Sequence, residues 1–232
     1  MRTALLCPAP DYPEAFDWAY DNQAKALEDA GFEVVGRRWT EAACEAGVDL
    51  VLPLVAWGYH QRFDEWLALL DRLEAAGVPT LNPVPLLRWN SDKSYLATLS
   101  DAGIATVPTL AVEALDEATL GAARTRFDTA LLVVKPPVSA AADGIYRLAQ
   151  GDDIPAAALG RRMLVQPFQR SVTTQGELSL LIFGGKPSHA LVKRPKSGDY
   201  RVQPHLGGSE TPCEAPAEAI ALAAAALAAA PA

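Results

Sequence analysis

The sequence is poor in several features that would place a protein quickly. It has three cysteines, Cys7, Cys44 and Cys213, an odd number, widely spaced and without a C-x-x-C pair. That spacing argues against a disulfide framework or a zinc site, and it fits a reducing compartment. The three histidines, His60, His189 and His205, show no H-E-x-x-H spacing, and no residue is assigned as a metal ligand. His189 falls inside a strand pattern and reads as a hydrogen-bonded structural histidine. No apolar run approaches the roughly 20 residues of a membrane helix. The short run after Arg2 is cut at Pro8, too soon for a signal-peptide core. The alanine-rich stretch 219–230 is too short and too weakly apolar to span. A cytoplasmic protein with no membrane partner is expected. Positive charge is also scarce, with 20 Lys and Arg against 28 Asp and Glu, a net charge of −8. That balance argues against a nucleic-acid partner.

Familiar nucleotide and hydrolase motifs are missing as well. "CPAPDYPE" stands where a first G-x-G-x-x-G turn would stand. No G-x-S-x-G occurs. "GGKPS", 184–188, fails as a Walker A loop, because Leu180 replaces its first glycine and Pro187 follows the lysine. The two glycines there mark a hairpin between two strands.

The 232 residues, half of them hydrophobic, suffice for two modest domains. Up to about residue 81, strands and helices alternate. Strands are predicted at 3–7, 32–35, 49–55 and 78–81, with helices at 15–30 and 63–76 ended by Gly31 and Gly77. This pattern indicates βαβ units and a mainly parallel sheet. Prolines in "LNPVP", 81–85, mark a break. Beyond it a helix capped by Ser91 or Asp92 is predicted to reach about 102, then a strand ending at 104–109 and a helix over 114–126. From 130 to 206 the pattern becomes strands joined by tight turns. The tail from 215 has strong helix propensity and little amphipathic pattern.

One stretch carries the chemical argument. In "LLVVKPPVSAAADGIYRLA", 131–149, an apolar strand ends in Lys135, a loop of very small residues follows, and a second strand begins at Ile145. Nothing among the side chains of 139–144 looks fit to anchor that loop in a core. Lys93 is predicted to start a helix 42 residues earlier. "VKRPKSGDYR", 192–201, adds Lys193, Arg194, Lys196 and Arg201. A solvated turn explains any one of these four, whereas four together favour an anion site. Separated lysines at element ends, a small-residue lid and a later arginine suit a polyphosphate held between two antiparallel sheets. Backbone N–H groups of such a loop approach phosphate oxygens closely.

This order of pieces resembles the ATP-grasp superfamily. The matching pieces are "SDKSYLATLSDAGIATVPT", "VVKPPVSAAADG", "MLVQPF", "GELSLLIFGGKPSHALVKRP" and "GDYRVQPHLGGS". The chain is most similar to the glutathione-synthetase and ribosomal-modification-like branch, and within it to the group of D-cycloserine-forming ATP-grasp enzymes. The resemblance implies a pre-ATP-grasp βαβ domain over 1–84 and an ATP-grasp domain of two antiparallel-sheet subdomains over 85–232. The lid-bearing subdomain would be 85–160, and 161–232 would be an incomplete C-terminal one. It also implies that Lys93 and Lys135 bind phosphate and that Ser139 to Gly144 cover it. Gln166, Pro167 and Phe168 would meet adenine, and Glu177 the ribose hydroxyls. Lys193 would join the nucleotide contacts, and Arg201 would act at the transferred phosphate. The loop departs from the family in having alanines at 140–142, and the hinge in having Gln166 for glutamate.

ATP and Mg²⁺ are the implied cofactors, with the metal's ligands expected beyond Ala232 in a longer protein. Asp143, Asp152 and Asp153 read as solvated loop acids. The implied activity is ATP-dependent activation of a carboxylate as an acyl phosphate, for attack by an amine or another nucleophile. The partner would be a small amino acid or peptide-like carboxylate. The alternative is an ATP-binding module without catalysis, and a third reading is a generic α/β protein with solvated lysines. The acceptor and the oligomeric state, a homo-oligomer included, stay open at this point.

Overall fold

The computed structural model describes residues 1–231. The chain divides into two compact units, Met1–Asp92 and Lys93–Ala230.

In the first unit β1 (Arg2–Cys7) lies between β2 (Glu33–Arg38) and β3 (Leu50–Leu52), parallel to both. Ala4, Leu5 and Leu6 are all fully buried, so β1 has apolar neighbours on both faces, as parallel sheets require. Helix α1 (Asp17–Asp29) packs Ala19 and Ala24 on the Leu5 side. Beyond its end Gly31 turns left-handed at φ +88, and Phe32 N–H returns to Leu27 C=O at 3.0 Å. On the other side α2 (Phe63–Ala76) presents Trp66, Leu69, Leu70 and Leu73 to Ala4, Leu6 and Val51. That i, i+3, i+4, i+7 spacing is the apolar stripe read from the sequence.

Two expectations for this unit are corrected. The strand at 78–81 is a single bridge, Val51 with Thr80, because Pro79 offers no N–H to extend a ladder. The prolines at 81–85 open a helix, α3 (Val84–Ser91), with Pro83 at its N-cap and Pro85 in its first turn, where no N–H is needed. Trp66 Nε1 donates to Ser91 Oγ at 2.8 Å, which ties α3 to α2. The boundary between compact units therefore falls after Asp92, later than the break expected at 84.

The second unit begins with α4 (Tyr95–Asp101), β4 (Leu110–Val112) and α5 (Glu117–Phe127). The N-cap position of α4 is Ser94 rather than Ser91 or Asp92, and 104–109 is irregular chain rather than strand. Helix α5 is capped by Asp116, whose Oδ1 accepts from Thr119 N–H at 2.7 Å. Strands β5 (Leu132–Lys135), β6 (Tyr146–Leu148) and β7 (Met163–Pro167) complete an antiparallel sheet of order β4-β7-β5-β6. Leu132, Val134, Met163 and Val165 face the core with Leu120 and Ala123 of α5. The alternate residues, Val133, Lys135 and Gln166, face away from it.

A short helix α6 (Ser171–Thr174) leads to β8 (Glu177–Phe183) and β9 (Lys186–Arg194). Their turn is the expected two-glycine hairpin. Gly184 and Gly185 have φ +57 and +77, and Phe183 pairs with Lys186. A strand not anticipated, β10 (Ser209–Cys213), pairs with β9 and gives the order β10-β9-β8. Helix α7 (Ala217–Ala229) closes the unit. A parallel sheet followed by two antiparallel sheets is the architecture read from the sequence.

Candidate functional site

The two sheets of the second unit border a solvent-open cavity of about 180 Å³. Its floor is a cross-strand row. Val133 of β5 lies opposite Arg147 of β6 on one side and Gln166 of β7 on the other. Residues opposite one another in a ladder share a face; of this row Val133 and Gln166 line the cavity, and Arg147 does not. Lys135, two residues from Val133, shares the face, with buried Leu164 across from it.

Of the predicted site residues, Lys135, Gln166, Pro167, Phe168, Glu177 and Arg201 line this one cavity. Val107, Ile145 and Val172 give it an apolar side suited to a planar base. Gln166 is buried, and its Nε2 donates to Thr109 Oγ1 at 2.8 Å. Phe168 N–H is spent on Leu131 C=O at 3.0 Å. Lys135 is largely withdrawn from water. Burial pushes its ammonium below the usual lysine range, and the Glu177 carboxylate opposes that shift. Such a cation gains when an anion enters beside it.

Arg201 sits on a rigid turn. Asp199 Oδ1 accepts from Tyr200 N–H at 2.7 Å and from Arg201 N–H at 3.0 Å. The two side chains also pair bidentately, at 3.1 and 2.9 Å. Hydrogen bonds from Arg201, first from its side chain and then from its backbone, hold the Asp199 carboxyl well below the usual carboxylate range.

Lys93, Ser139, Gly144 and Lys193 do not line the cavity. Lys93 lies in the turn before α4 rather than in the helix. Its Nζ donates to Ser139 C=O and, at 3.3 Å, to Ser139 Oγ, and its N–H donates to Pro137 C=O at 2.9 Å. Ser139 is buried. The loop is therefore anchored at its first residue, contrary to the reading that none of its side chains could do so. Gly144 closes the loop at φ +67, where a Cβ would lie 2.9 Å from Pro136 Cγ. Between them Ala141 and Ala142 hold φ +52 and +66, values glycine adopts freely and alanine does not. Lys193 stands between Glu177 and Glu210 in register, and its Nζ is 3.8 Å from Glu210.

Sequence reading missed Arg147. Its guanidinium lies 5.7 Å from the Phe168 ring centre and 5.2 Å from that of Tyr200. The only signal for it was register, because a lone arginine in a short strand looks like a solvated position. In the first unit a separate cavity of about 160 Å³ is walled by Tyr12, Trp39 and Trp57, with Asp11 and Arg62 at 3.3 Å from each other.

Among the described residues Glu177 is the one carboxylate lining this cleft, and Asp199 is committed to Arg201. Among the described residues no three His, Cys, Asp or Glu side chains are grouped to hold a metal ion. Among the described residues the cleft thus offers a Mg²⁺ ion a single carboxylate, that of Glu177. Among the described residues, no helix is long and apolar enough to cross a membrane.

Residues 4–82 match the family described as D-cycloserine synthetase DcsG, N-terminal domain. Over 148 residues the chain is 33% identical to the cycloserine biosynthesis protein DcsG of Streptomyces lavendulae, covering 59% of this chain and 49% of that protein. The chain thus spans about half the length of this curated relative. The crystal structure of D-cycloserine synthetase DcsG matches 99% of this chain and 80% of its own, with TM-score 0.80 and 26% identity. The chain has the ATP-grasp fold. The D-alanine–D-alanine ligase of Bacillus anthracis complexed with ATP shares that fold, at TM-score 0.69 and 18% identity over 99% of this chain and 78% of its own.

Proposed function

We propose that this ATP-grasp chain binds ATP in the cavity of its second unit and serves an ATP-dependent ligation. The observation that carries the proposal is the convergence of Lys135, the 166–168 segment, Glu177 and Arg201 on one cleft. The base would rest against Phe168 and the apolar side. Glu177 would accept from the ribose hydroxyls, and Lys135 would neutralise phosphate oxygens. Lys93 would act on the loop that covers them, through Ser139. In this reading the first unit is the domain that precedes the nucleotide fold. The four-stranded and three-stranded sheets are that fold's two halves.

The ligation would run through an acyl phosphate. A substrate carboxylate oxygen attacks the γ-phosphorus, the bond to the β-phosphate oxygen breaks, and ADP leaves. An amine then attacks the acyl carbon, the C–O bond to phosphate breaks, the nitrogen releases a proton to solvent, and inorganic phosphate leaves with the amide formed. The protein's part is to position the reactants and to offset charge, with Arg201 beside the transferred group. ATP-grasp ligases use Mg²⁺ with ATP in general. Among the described residues Glu177 is the carboxylate placed in the cleft, and no step is assigned to the metal. The substrate would be a small amino acid or peptide-like carboxylate.

Hydroxylamine tests the reading by intercepting an acyl phosphate as a stable hydroxamate. The chain is incubated with ATP, Mg²⁺ and a panel of amino acids. Hydroxamate and ADP in equal amounts are expected with a true substrate. Saturable ATP binding without ADP across the panel would leave a nucleotide-binding module and reject the ligase mechanism.

A further inference from the structure

We infer that Arg147 is a positioning residue of the nucleotide site, acting on Arg201 through Tyr200. The inference rests on the ATP reading above and adds to it a residue with no phosphate contact of its own.

The register of the four-stranded sheet puts Arg147 on the same sheet face as Val133 and Gln166, outside the lining of the cavity itself. From there its guanidinium reaches two rings, 5.7 Å from Phe168 and 5.2 Å from Tyr200. The rings meet each other edge-on, with centroids 5.8 Å apart and planes at 84°. Three groups from three separate segments thus form one triangle. Among the described residues no carboxylate pairs with Arg147, so its charge is directed to the two ring faces. A guanidinium is planar and weakly hydrated, which suits it to such stacking.

What the triangle holds follows from the next turn. Asp199 accepts from the backbone N–H groups of both Tyr200 and Arg201 and grips the Arg201 side chain as well. Tyr200 and Arg201 therefore move together. A contact that fixes the Tyr200 ring against Phe168 fixes the Arg201 guanidinium relative to the strand edge where the base would rest. Arg147 comes from β6, at the far end of the loop that starts at Ser139. It ties the lid-bearing sheet to the arginine turn of the three-stranded sheet.

The test measures ATP and adenosine affinities by titration calorimetry on the full chain and on Arg147→Met, which keeps stem length and loses charge. The loss of two cation–π contacts is expected to weaken ATP about tenfold. Adenosine, which has no phosphates for Arg201 to meet, should change less than about twofold by the same reasoning. Arg147→Lys should recover part of the ATP affinity, and Tyr200→Leu should reproduce the Arg147→Met pattern. Placed on Arg201→Ala, Arg147→Met should cost nothing more. Equal losses for ATP and adenosine would reduce Arg147 to local packing and overturn the inference. An additive loss on Arg201→Ala, or unchanged ATP binding in both Arg147→Met and Arg147→Lys, would overturn it too. A parent chain that binds neither ligand refutes the ATP reading itself. A parent that binds both, with unaffected variants, refutes only the role of Arg147.

Discussion

Replacing Lys135 with alanine removes a cation that the fold keeps at some cost. Its ammonium is mostly withdrawn from water, its partner Glu177 only partly offsets that burial, and buried Leu164 lies across from it in the ladder. In the ligand-free chain the loss of the charge and the loss of the stem's packing act in opposite directions. The unfolding free energy should shift by less than about 1 kcal/mol. With ATP bound the same ammonium makes a charge-assisted hydrogen bond in a partly dry site, worth about 1.5–3 kcal/mol. Kd for ATP should therefore rise by roughly one to two orders of magnitude. Adenosine has no phosphate to lose the contact and should bind the variant as it binds the parent. Calorimetric titration of both ligands, beside urea denaturation of both proteins, separates the two effects. ATP binding to Lys135→Ala equal to that of the parent would refute the assignment of this lysine to phosphate.

Two further expectations concern protons and the loop. The depressed Lys135 loses its proton at lower pH than a solvated lysine does. The ligand-free chain should gain stability with rising pH between that value and the ordinary lysine range of about 10.4, where the unfolded chain binds the extra proton. ATP restores the charge, so its binding should take up protons across the same window and weaken as pH rises through it. Calorimetry in buffers of different ionisation enthalpy should detect that uptake, which should vanish in Lys135→Ala. In the loop, Ala142 stands at φ +66, so Ala142→Gly relieves a strain of about 1 kcal/mol and should leave stability unchanged or raised. Ala140→Gly relieves nothing and should cost about 0.5–1 kcal/mol in chain entropy. Equal effects of the two in urea denaturation would contradict the left-handed assignment.

Local signals were the ones legible in the sequence. Gly184 and Gly185 between alternating apolar residues read as a hairpin because only a turn with two positive φ values needs both. Lys135 was legible because a charge at the end of an apolar run requires an explanation. Proline was misread where its two uses conflict. Pro83 and Pro85 break a strand pattern as well as they open a helix, and the choice depends on Trp66 and Ser91 packing from different segments. Strand β10 escaped notice because it is short, contains Pro212 and pairs along one edge only. The destination of Lys93 was beyond any local pattern, since Ser139 lies 46 residues away. Arg147 was hidden for the same reason, because its meaning depends on the register of β5 with β6 and β7 and on a turn some fifty residues later.

The central claim is that ATP occupies the cleft between the two antiparallel sheets of the second unit. Hydrogen–deuterium exchange of the full chain, with and without saturating ATP and Mg²⁺, tests it directly. Protection is expected in residues 131–149, 166–169 and 199–203, which carry Lys135, the lid, the base-facing edge and Arg201, with the strands of the first unit unchanged. ATP binding that leaves these three segments as they were, or no binding at all, would contradict the account.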